Sequence, residues 1–309
     1  MPTYAQHFNL KCFNRFALLL TRFMLTLLSK CLALLPLPII HQLGSALGWL
    51  LHWCTPNTAK LQRSNLLQSG LCSNEAQLQK TIRSNIAETG KAILETLAIW
   101  EWPEQKALNT VQSISNWHLV DEALARGKGL IFLTPHLGCF EITSIYYGHY
   151  HPITVLFRPP KKSWIAPLID SGRSKGNVKL APANTSGVRS LMQALKNNQA
   201  IGILPDQIPA AGEGEWAPFF GKPAYTMSLA CKLAEKTDAT VIMTFGERLP
   251  NGKGYTIHLT KLDDHAIATP ALLNQAIEAQ IRQCPSQYYW GYHRYKVSRK
   301  AKPPPVATE

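Results

Sequence analysis

Residues 130–150 read LIFLTPHLGCFEITSIYYGHY. The stretch begins with a short apolar run of the strand type, which ends at Thr134 and Pro135 and is followed immediately by His136. Glu141 then opens a segment with a helical pattern. In open α/β sheets, sites gather beyond the carboxyl ends of the strands. The stretch therefore predicts a strand, a turn that carries polar chemistry, and a helix.

Apolar runs of the same kind recur along the chain and alternate with helical patterns. The further strand candidates are residues 153–157, 200–205, 240–245 and 255–262, and the helical patterns cover residues 141–149, 164–175, 187–197, 225–237 and 270–283. Residues 56–100 also have a helical pattern, in which Pro56 and the pair Ser73 and Asn74 are typical helix starts. This alternation predicts an α/β fold with a mixed, largely parallel sheet flanked by helices.

The composition is that of a folded, basic protein without a disulfide framework. The 309 residues are 46% hydrophobic and 17% charged, which excludes an intrinsically disordered chain. The formal net charge of +13 predicts an acidic partner, which can be a nucleic acid, an anionic membrane or an acidic protein. The seven cysteines are scattered, and neither they nor the histidines have the spacing of a metal site. We therefore expect reduced thiols, no metal and no cofactor.

The N-terminal segment is strongly apolar. Residues 16–40 read FALLLTRFMLTLLSKCLALLPLPII, and residues 39–53 form a second apolar run. On a helical wheel the polar residues share a stripe of about 100°; they are Lys11, Arg15, Arg22, Thr26, Ser29 and Lys30. A wide apolar face beside a basic stripe is typical of a helix in the membrane interface, but a spanning helix and a helix buried against the domain also fit. We expect membrane-associating helices in residues 1–55, an α/β domain in residues 56–298 and a disordered tail in residues 299–309.

The spacing of His136 and Glu141 carries the first chemical hypothesis. Five residues apart, they would lie about 140° apart on a regular helix and could not share a face. They can meet only if His136 lies in the turn, which Gly138 permits, and Glu141 lies in the first helical turn. A carboxylate on an imidazole fixes its tautomer and supports general-base catalysis. Taken alone, the spacing equally fits a capping histidine and a glutamate that interacts with the helix dipole.

Five sequence segments together resemble a known family. They are HLGCFE (136–141), FRPPKK (157–162), GILPDQ (202–207), APFFGKPAYT (217–226) and QYYWGYHRYK (287–296), in this order. The first resembles the H-x4-D/E motif of the glycerolipid acyltransferase superfamily, in the glutamate variant of the bacterial lipid A biosynthesis acyltransferases of the late lauroyl/myristoyl type. The resemblance covers roughly residues 16–297.

The resemblance implies roles for individual residues. His136 would be the general base that deprotonates a hydroxyl of the acceptor, and Glu141 the carboxylate that orients it. The residues expected to bind substrate are Arg158, Asp206, Gln207, Lys222 and Arg189. Arginine at such a site suits a phosphate or a developing oxyanion. Cys139 is expected to be a small packing residue, because a nucleophilic thiolate needs an electropositive, accessible setting.

The resemblance also implies a reaction and a location. We expect an acyltransferase that moves a fatty acyl chain from acyl-carrier protein to a hydroxyl of an anionic lipid A precursor, at the cytoplasmic face of the inner membrane, without nucleic acid as a partner. The net charge of +13 suits both acidic partners. Two alternatives remain open: the same chemistry on another membrane lipid, and a catalytically silent lipid-binding protein.

Overall fold

A seven-stranded sheet lies at the centre of the computed structural model, which describes residues 20–160 and 162–297. Across the sheet the strands follow the order β1 (Val111–Ser115), β9 (Tyr255–Lys261), β8 (Thr240–Arg248), β2 (Leu130–Leu133), β5 (Ala200–Ile203), β3 (Ile153–Phe157) and β4 (Val178–Pro182). All neighbouring strands are parallel except β8 and β9. The prediction of a mixed, largely parallel sheet is therefore confirmed.

Helices cover both faces of this sheet. They are α1 (residues 20–34), α2 (Leu37–Cys54), α3 (Pro56–Gln68), α4 (Glu75–Glu101), α5 (Glu104–Leu108), α6 (His118–Ala125), α7 (Phe140–Tyr150), α8 (Ala166–Arg173), α9 (Thr185–Lys196), α10 (Leu229–Thr237) and α11 (Pro270–Gln283). A separate antiparallel hairpin consists of β6 (Gly214–Phe219) and β7 (Lys222–Met227).

The five strands that the sequence predicted are present as β2, β3, β5, β8 and β9. The two that it missed in the main sheet, β1 and β4, are edge strands with several accessible side chains, so they lack a continuous apolar run. The helix predicted for residues 225–237 is wrong at its start. Residues 225–227 belong to β7, and the helix begins only at Leu229.

The predicted helix starts have ordinary capping chemistry. Pro56 is the first residue of α3, where its missing N–H costs no intrahelical hydrogen bond. Asn74 caps α4, because its side-chain oxygen accepts a hydrogen bond of 2.9 Å from the Gln77 N–H. These caps fix where the long α4 helix begins and hence how it lies along the sheet.

Alternate side chains of the central strand β2 point to two separate apolar layers. Ile131 and Leu133 pack with residues of α9 and α11 on one face. Leu130 and Phe132 pack with residues of α2, α4 and α7 on the other. This period of two is what a strand buried on both faces requires. It puts α7, which follows His136, on the same face as the N-terminal helices.

Three glycines let α2 and α4 cross with their backbones almost in contact. Gly44 and Gly48 lie one turn apart on α2 and face Gly90 on α4. A Cβ added at Gly90 would lie 2.0 Å from the Gly44 carbonyl oxygen and 2.4 Å from the Gly48 nitrogen. Real side chains do not approach backbone atoms so closely. The absence of side chains here therefore sets the distance between the two helices.

The N-terminal apolar run forms two helices, as expected, with the break at Leu35 and Pro36. Part of the polar stripe faces the protein and not a membrane: Ser29 is fully buried, and its hydroxyl donates a hydrogen bond of 2.8 Å to Glu101. Arg22 and Lys30 are exposed, whereas Lys11 and Arg15 lie outside the described residues, as does the tail 299–309. Within residues 20–160 and 162–297, no helix combines the length and the apolar character needed to cross a bilayer.

We predict that Gly90→Ala destabilises the protein, because the new methyl group has only backbone atoms of α2 to displace. Overpacking of this kind typically costs about 1–3 kcal/mol. The measurement is the free energy of unfolding in denaturant. Gly291→Ala is the matched control, since the nearest atoms to its added Cβ are side-chain carbons 3.4 Å away. Equal stability of the two variants would contradict the proposed packing of α2 on α4.

Candidate active site

His136 and Asp206 lie at equivalent positions beyond two neighbouring parallel strands. Leu133 of β2 is in register with Ile203 of β5, and each polar residue follows three positions later. The His136 ring nitrogen Nδ1 lies 2.9 Å from Oδ1 of Asp206. The backbone N–H of His136 donates to Oδ2 of the same carboxylate at 3.1 Å. One carboxylate thus fixes both the ring and the backbone of His136.

Asp206 remains a carboxylate although it is buried. Burial raises its pKa, but the attraction of His136 and the hydrogen bonds from the His136 ring and backbone outweigh burial, so the pKa is lowered from its ordinary value. A carboxylate can only accept hydrogen bonds, so Nδ1 of His136 carries the proton. When the ring is neutral, Nε2 carries a lone pair that can accept a hydrogen bond. The Gln207 amide nitrogen lies 3.1 Å from Nε2 and donates to it.

The carboxylate expected to contact His136 has a different partner. Glu141 accepts hydrogen bonds from Nε of Arg173 at 2.9 and 3.1 Å, and from a terminal nitrogen of the same guanidinium. The expectation of a direct contact between Glu141 and the imidazole is therefore replaced by the pair of His136 and Asp206. The physical reason is that α7 begins at Phe140, which puts Glu141 in the first turn opposite the end of α8.

These groups line one cavity of about 260 Å³. Its polar wall includes His136, Glu141, Arg158, Arg173 and Gln207. Its apolar wall includes Phe132, Tyr147, Ile153, Val155, Ile257 and Leu259. The cavity lies between the sheet and α7, because Phe132, Tyr147 and Ile257 belong to the apolar layer on that face. An imidazole, two guanidiniums and an apolar interior thus share one cavity.

The other predicted residues divide into two groups. Arg158 is exposed and lines the cavity, and Gln207 lines it beside His136. Arg189 lies exposed on α9 and is not among the lining residues. Lys222 is also exposed and outside the lining; its ammonium lies 5.0 Å from the ring centre of Tyr295. The structure therefore brings together three of the five expected substrate-binding residues, counting Asp206 through its contact with His136.

The turn between His136 and Glu141 is held by backbone contacts. Gly138 has a φ of +61°, and a Cβ there would lie 2.1 Å from the Gly246 carbonyl oxygen. Its N–H donates to the Gln287 carbonyl at 3.1 Å, and the Cys139 N–H donates to the Gly246 carbonyl at 2.7 Å. The Tyr289 N–H donates to the His136 carbonyl at 3.0 Å. The segment 287–296 therefore braces the turn that carries His136.

Cys139 in this turn is a packing residue. It is buried, and burial raises the pKa of its thiol well above the ordinary value. A thiol that stays protonated is a poor nucleophile. The position of the residue agrees with the sequence-based expectation of a small side chain that fills space.

An ionic cluster behind the turn was missed from the sequence. Arg248, at the end of β8, donates to the Gly138 carbonyl at 2.7 Å and to Glu95 of α4 at 2.7 Å. Glu95 also accepts from Tyr255 at 3.0 Å and lies 2.9 Å from Nε2 of His41 on α2. Burial alone would raise the Glu95 pKa, but Arg248 and the hydrogen bonds lower it to about 2. An acid inside the apolar run 93–100 was the available signal.

Arg173 was missed as well. It lies at the end of a predicted helix, within no motif that points to a site, and only the fold brings it to Glu141. Its guanidinium also lies 5.6 Å from the ring centre of Trp100. Arg158 and Arg173 both line the cavity, but only Arg158 lies in a sequence motif that could identify it.

Comparison with known proteins identifies the family of the chain. The chain is 26% identical over 275 residues to the lipid A biosynthesis lauroyltransferase of Escherichia coli strain K12, covering 87% of this chain and 89% of the relative. It is 24% identical over 272 residues to the lipid A biosynthesis palmitoleoyltransferase of the same strain, covering 85% and 87%. A lipid A biosynthesis acyltransferase of Haemophilus influenzae is 24% identical over 280 residues, covering 87% and 88%. The model of the family described as bacterial lipid A biosynthesis acyltransferase matches residues 13–297, and the chain belongs to this family.

Proposed function

We propose that this protein transfers a fatty acyl chain from the thioester of acyl-carrier protein to a hydroxyl of a lipid A precursor. Membership of the family supports O-acyl transfer in lipid A biosynthesis. The observation that carries the finer proposal is the His136 ring. Its Nδ1 is held by Asp206, and its Nε2 is the basic atom beside a cavity that combines guanidiniums with an apolar interior.

In the proposed mechanism His136 acts as a general base. Nε2 takes the proton of the acceptor hydroxyl as the oxygen attacks the thioester carbonyl carbon. Asp206 holds the ring in the tautomer with its proton on Nδ1 and stabilises the positive charge that the ring acquires. The same Nε2–H then protonates the departing thiolate. No covalent acyl-enzyme is needed, which agrees with the buried, protonated state of Cys139.

Glu141 has a supporting role in this proposal. Its bidentate contact fixes the Arg173 guanidinium at the cavity wall. Arg158 lines the same wall and is exposed. Because Glu141 compensates the charge of Arg173, Arg158 supplies the net positive charge that would attract a phosphate of the acceptor or donor. The apolar wall of the cavity would receive the acyl chain.

We also place the protein at the cytoplasmic face of the inner membrane. What supports this is the number of large apolar side chains that α1 and α2 leave exposed. On α1 they are Leu20, Phe23, Met24, Leu27, Leu28 and Leu34, and on α2 they are Ile39, Leu43, Leu50 and Trp53. Apolar surface of this extent is typical of a protein or membrane contact. A lipid acceptor that already resides in the bilayer favours the membrane.

The first prediction tests the reaction. Purified protein should release free carrier protein from the acylated carrier protein, and added lipid A precursor should increase the rate of this release. His136→Ala should reduce the rate by about 10²–10⁴-fold, the usual loss for a general base, while circular dichroism shows a folded chain. A rate of release that added lipid does not increase, or wild-type rates for the variant, would contradict the proposal. Replacing the lipid with a glycerophospholipid tests the alternative acceptor.

The second prediction separates the two carboxylates. Asp206→Asn should lower kcat strongly, because an amide can no longer hold the required tautomer and charge of His136. Glu141→Gln should act mainly through substrate binding, because it frees Arg173 and leaves His136 and Asp206 paired. The measurement is kcat and KM of both variants, with melting temperatures as the folding control. A larger loss of kcat for Glu141→Gln than for Asp206→Asn would show that Glu141 is the orienting carboxylate.

The third prediction concerns the membrane. A triple variant with Phe23, Met24 and Leu27 replaced by serine should float less with anionic liposomes than the wild type. These side chains are 62%, 54% and 46% exposed, so their loss leaves the core intact. Leu67→Ser is the control, since Leu67 is 61% exposed and belongs to α3 and not to α1 or α2. If the triple variant floats as well as the wild type, α1 is not the membrane contact.

A further inference from the structure

The tetrahedral intermediate of acyl transfer needs a hydrogen-bond donor for its oxyanion. The backbone of the turn 136–139 cannot supply this donor in the structure, because each of its N–H groups already donates a hydrogen bond within the protein. His136 donates to Asp206, Leu137 to the Pro135 carbonyl, Gly138 to the Gln287 carbonyl and Cys139 to the Gly246 carbonyl. The donor must therefore come from a side chain of the cavity or from the first turn of α7.

Gln207 is the side chain in the appropriate place. Its amide nitrogen lies 3.1 Å from Nε2 of His136, on the lone pair that the acceptor hydroxyl needs for proton transfer. The hydroxyl must displace this amide in order to bind. An amide displaced from Nε2 but held by the same backbone would lie adjacent to the attacking oxygen, and so to the carbonyl carbon that this oxygen attacks.

Other features hold Gln207 at this position. It follows Asp206, whose carboxylate is fixed by the ring and backbone of His136. The next residue, Ile208, donates its N–H to the Tyr292 hydroxyl at 3.0 Å. The backbone on both sides of Gln207 is thus anchored, and only its side chain has to move.

We propose that Gln207 covers the base in the resting enzyme and, once the acceptor hydroxyl has displaced it, donates a hydrogen bond to the oxyanion. This inference rests on the proposed function. The hydroxyl oxygen forms a bond with the thioester carbon, its proton moves to Nε2 of His136, and the carbonyl π electrons become the oxyanion that the Gln207 N–H stabilises. When the oxyanion collapses, the C–S bond breaks and the thiolate takes the proton from Nε2.

Other donors lie at the same cavity, and they include Arg158, which we assign to phosphate binding. Arg173 is committed to Glu141 through Nε and a terminal nitrogen. The first N–H groups of α7 lack intrahelical acceptors, as at every helix start. Within residues 20–160 and 162–297, however, Gln207 is the side chain that donates to Nε2 of His136, so its amide must leave this atom for the hydroxyl to enter.

The test replaces the amide by a side chain of similar length without N–H donors, Gln207→Met. The exposed Gln193 on α9 gives the control, Gln193→Met. We expect kcat for acyl transfer to fall by about 10²–10³-fold, the usual loss for one oxyanion donor, with little change in the KM of the lipid. Carbethoxylation of His136 should be faster than in wild type, because its Nε2 is no longer covered.

A kcat close to that of wild type in Gln207→Met would overturn the inference. Gln207→Ala provides a second variant with the same expectation if the methionine disturbs folding. Thioester hydrolysis by water, measured without lipid, separates this inference from the proposed acceptor. It passes through the same kind of oxyanion and should fall in both Gln207 variants even if the lipid acceptor has been misassigned.

Discussion

The contact between the Arg248 guanidinium and the Gly138 carbonyl holds the turn that carries His136 to the rest of the protein. Arg248 is itself held by Glu95 of α4, which contacts His41 of α2 and Tyr255 of β9. Removing one partner of such a buried pair typically costs about 3–5 kcal/mol, because the other charge is left uncompensated. The N-terminal helices, the sheet and the turn of His136 are therefore connected through one buried carboxylate. The lowered pKa of Glu95 means that this carboxylate stabilises the fold above its ordinary pKa of 4.5, and that the contribution is lost as the pH falls towards about 2.

Strands β2, β5 and β8 were predictable because their apolar runs are buried on both faces, and the candidate site was predictable because His136 follows one of these runs. The edge strands β1 and β4 were not, since several of their side chains are exposed or half-buried and their sequences contain no continuous apolar run. The helical wheel of the N-terminal segment identified the polar stripe, but it could not show which part of the stripe faces the rest of the protein. Ser29 turns part of that stripe towards Glu101, and this depends on a residue more than seventy positions away.

In the candidate site, too, the sequence identified some residues, whereas the contacts between them depend on the fold. The sequence indicated that an acid should orient His136, and it identified both Glu141 and Asp206 as site residues. It could not tell which of them contacts the ring, because local spacing favours Glu141, whereas the register of β2 with β5 brings Asp206 into contact. Arg173 and Arg248 acquire their roles only through tertiary contacts. Arg189 and Lys222 are cations in suggestive segments, but the fold leaves both exposed and outside the cavity lining.

The most direct test of the proposed acyl transfer is mass spectrometry of lipid A from cells that lack this protein. Acyl transfer to a lipid A precursor predicts the loss of one acyl chain of defined mass, restored by the wild-type chain and not by His136→Ala produced at the same level. The mass of the missing chain would also identify the acyl group. A lipid A of unchanged mass in the deletion strain would contradict the central claim and favour another lipid acceptor or a binding function.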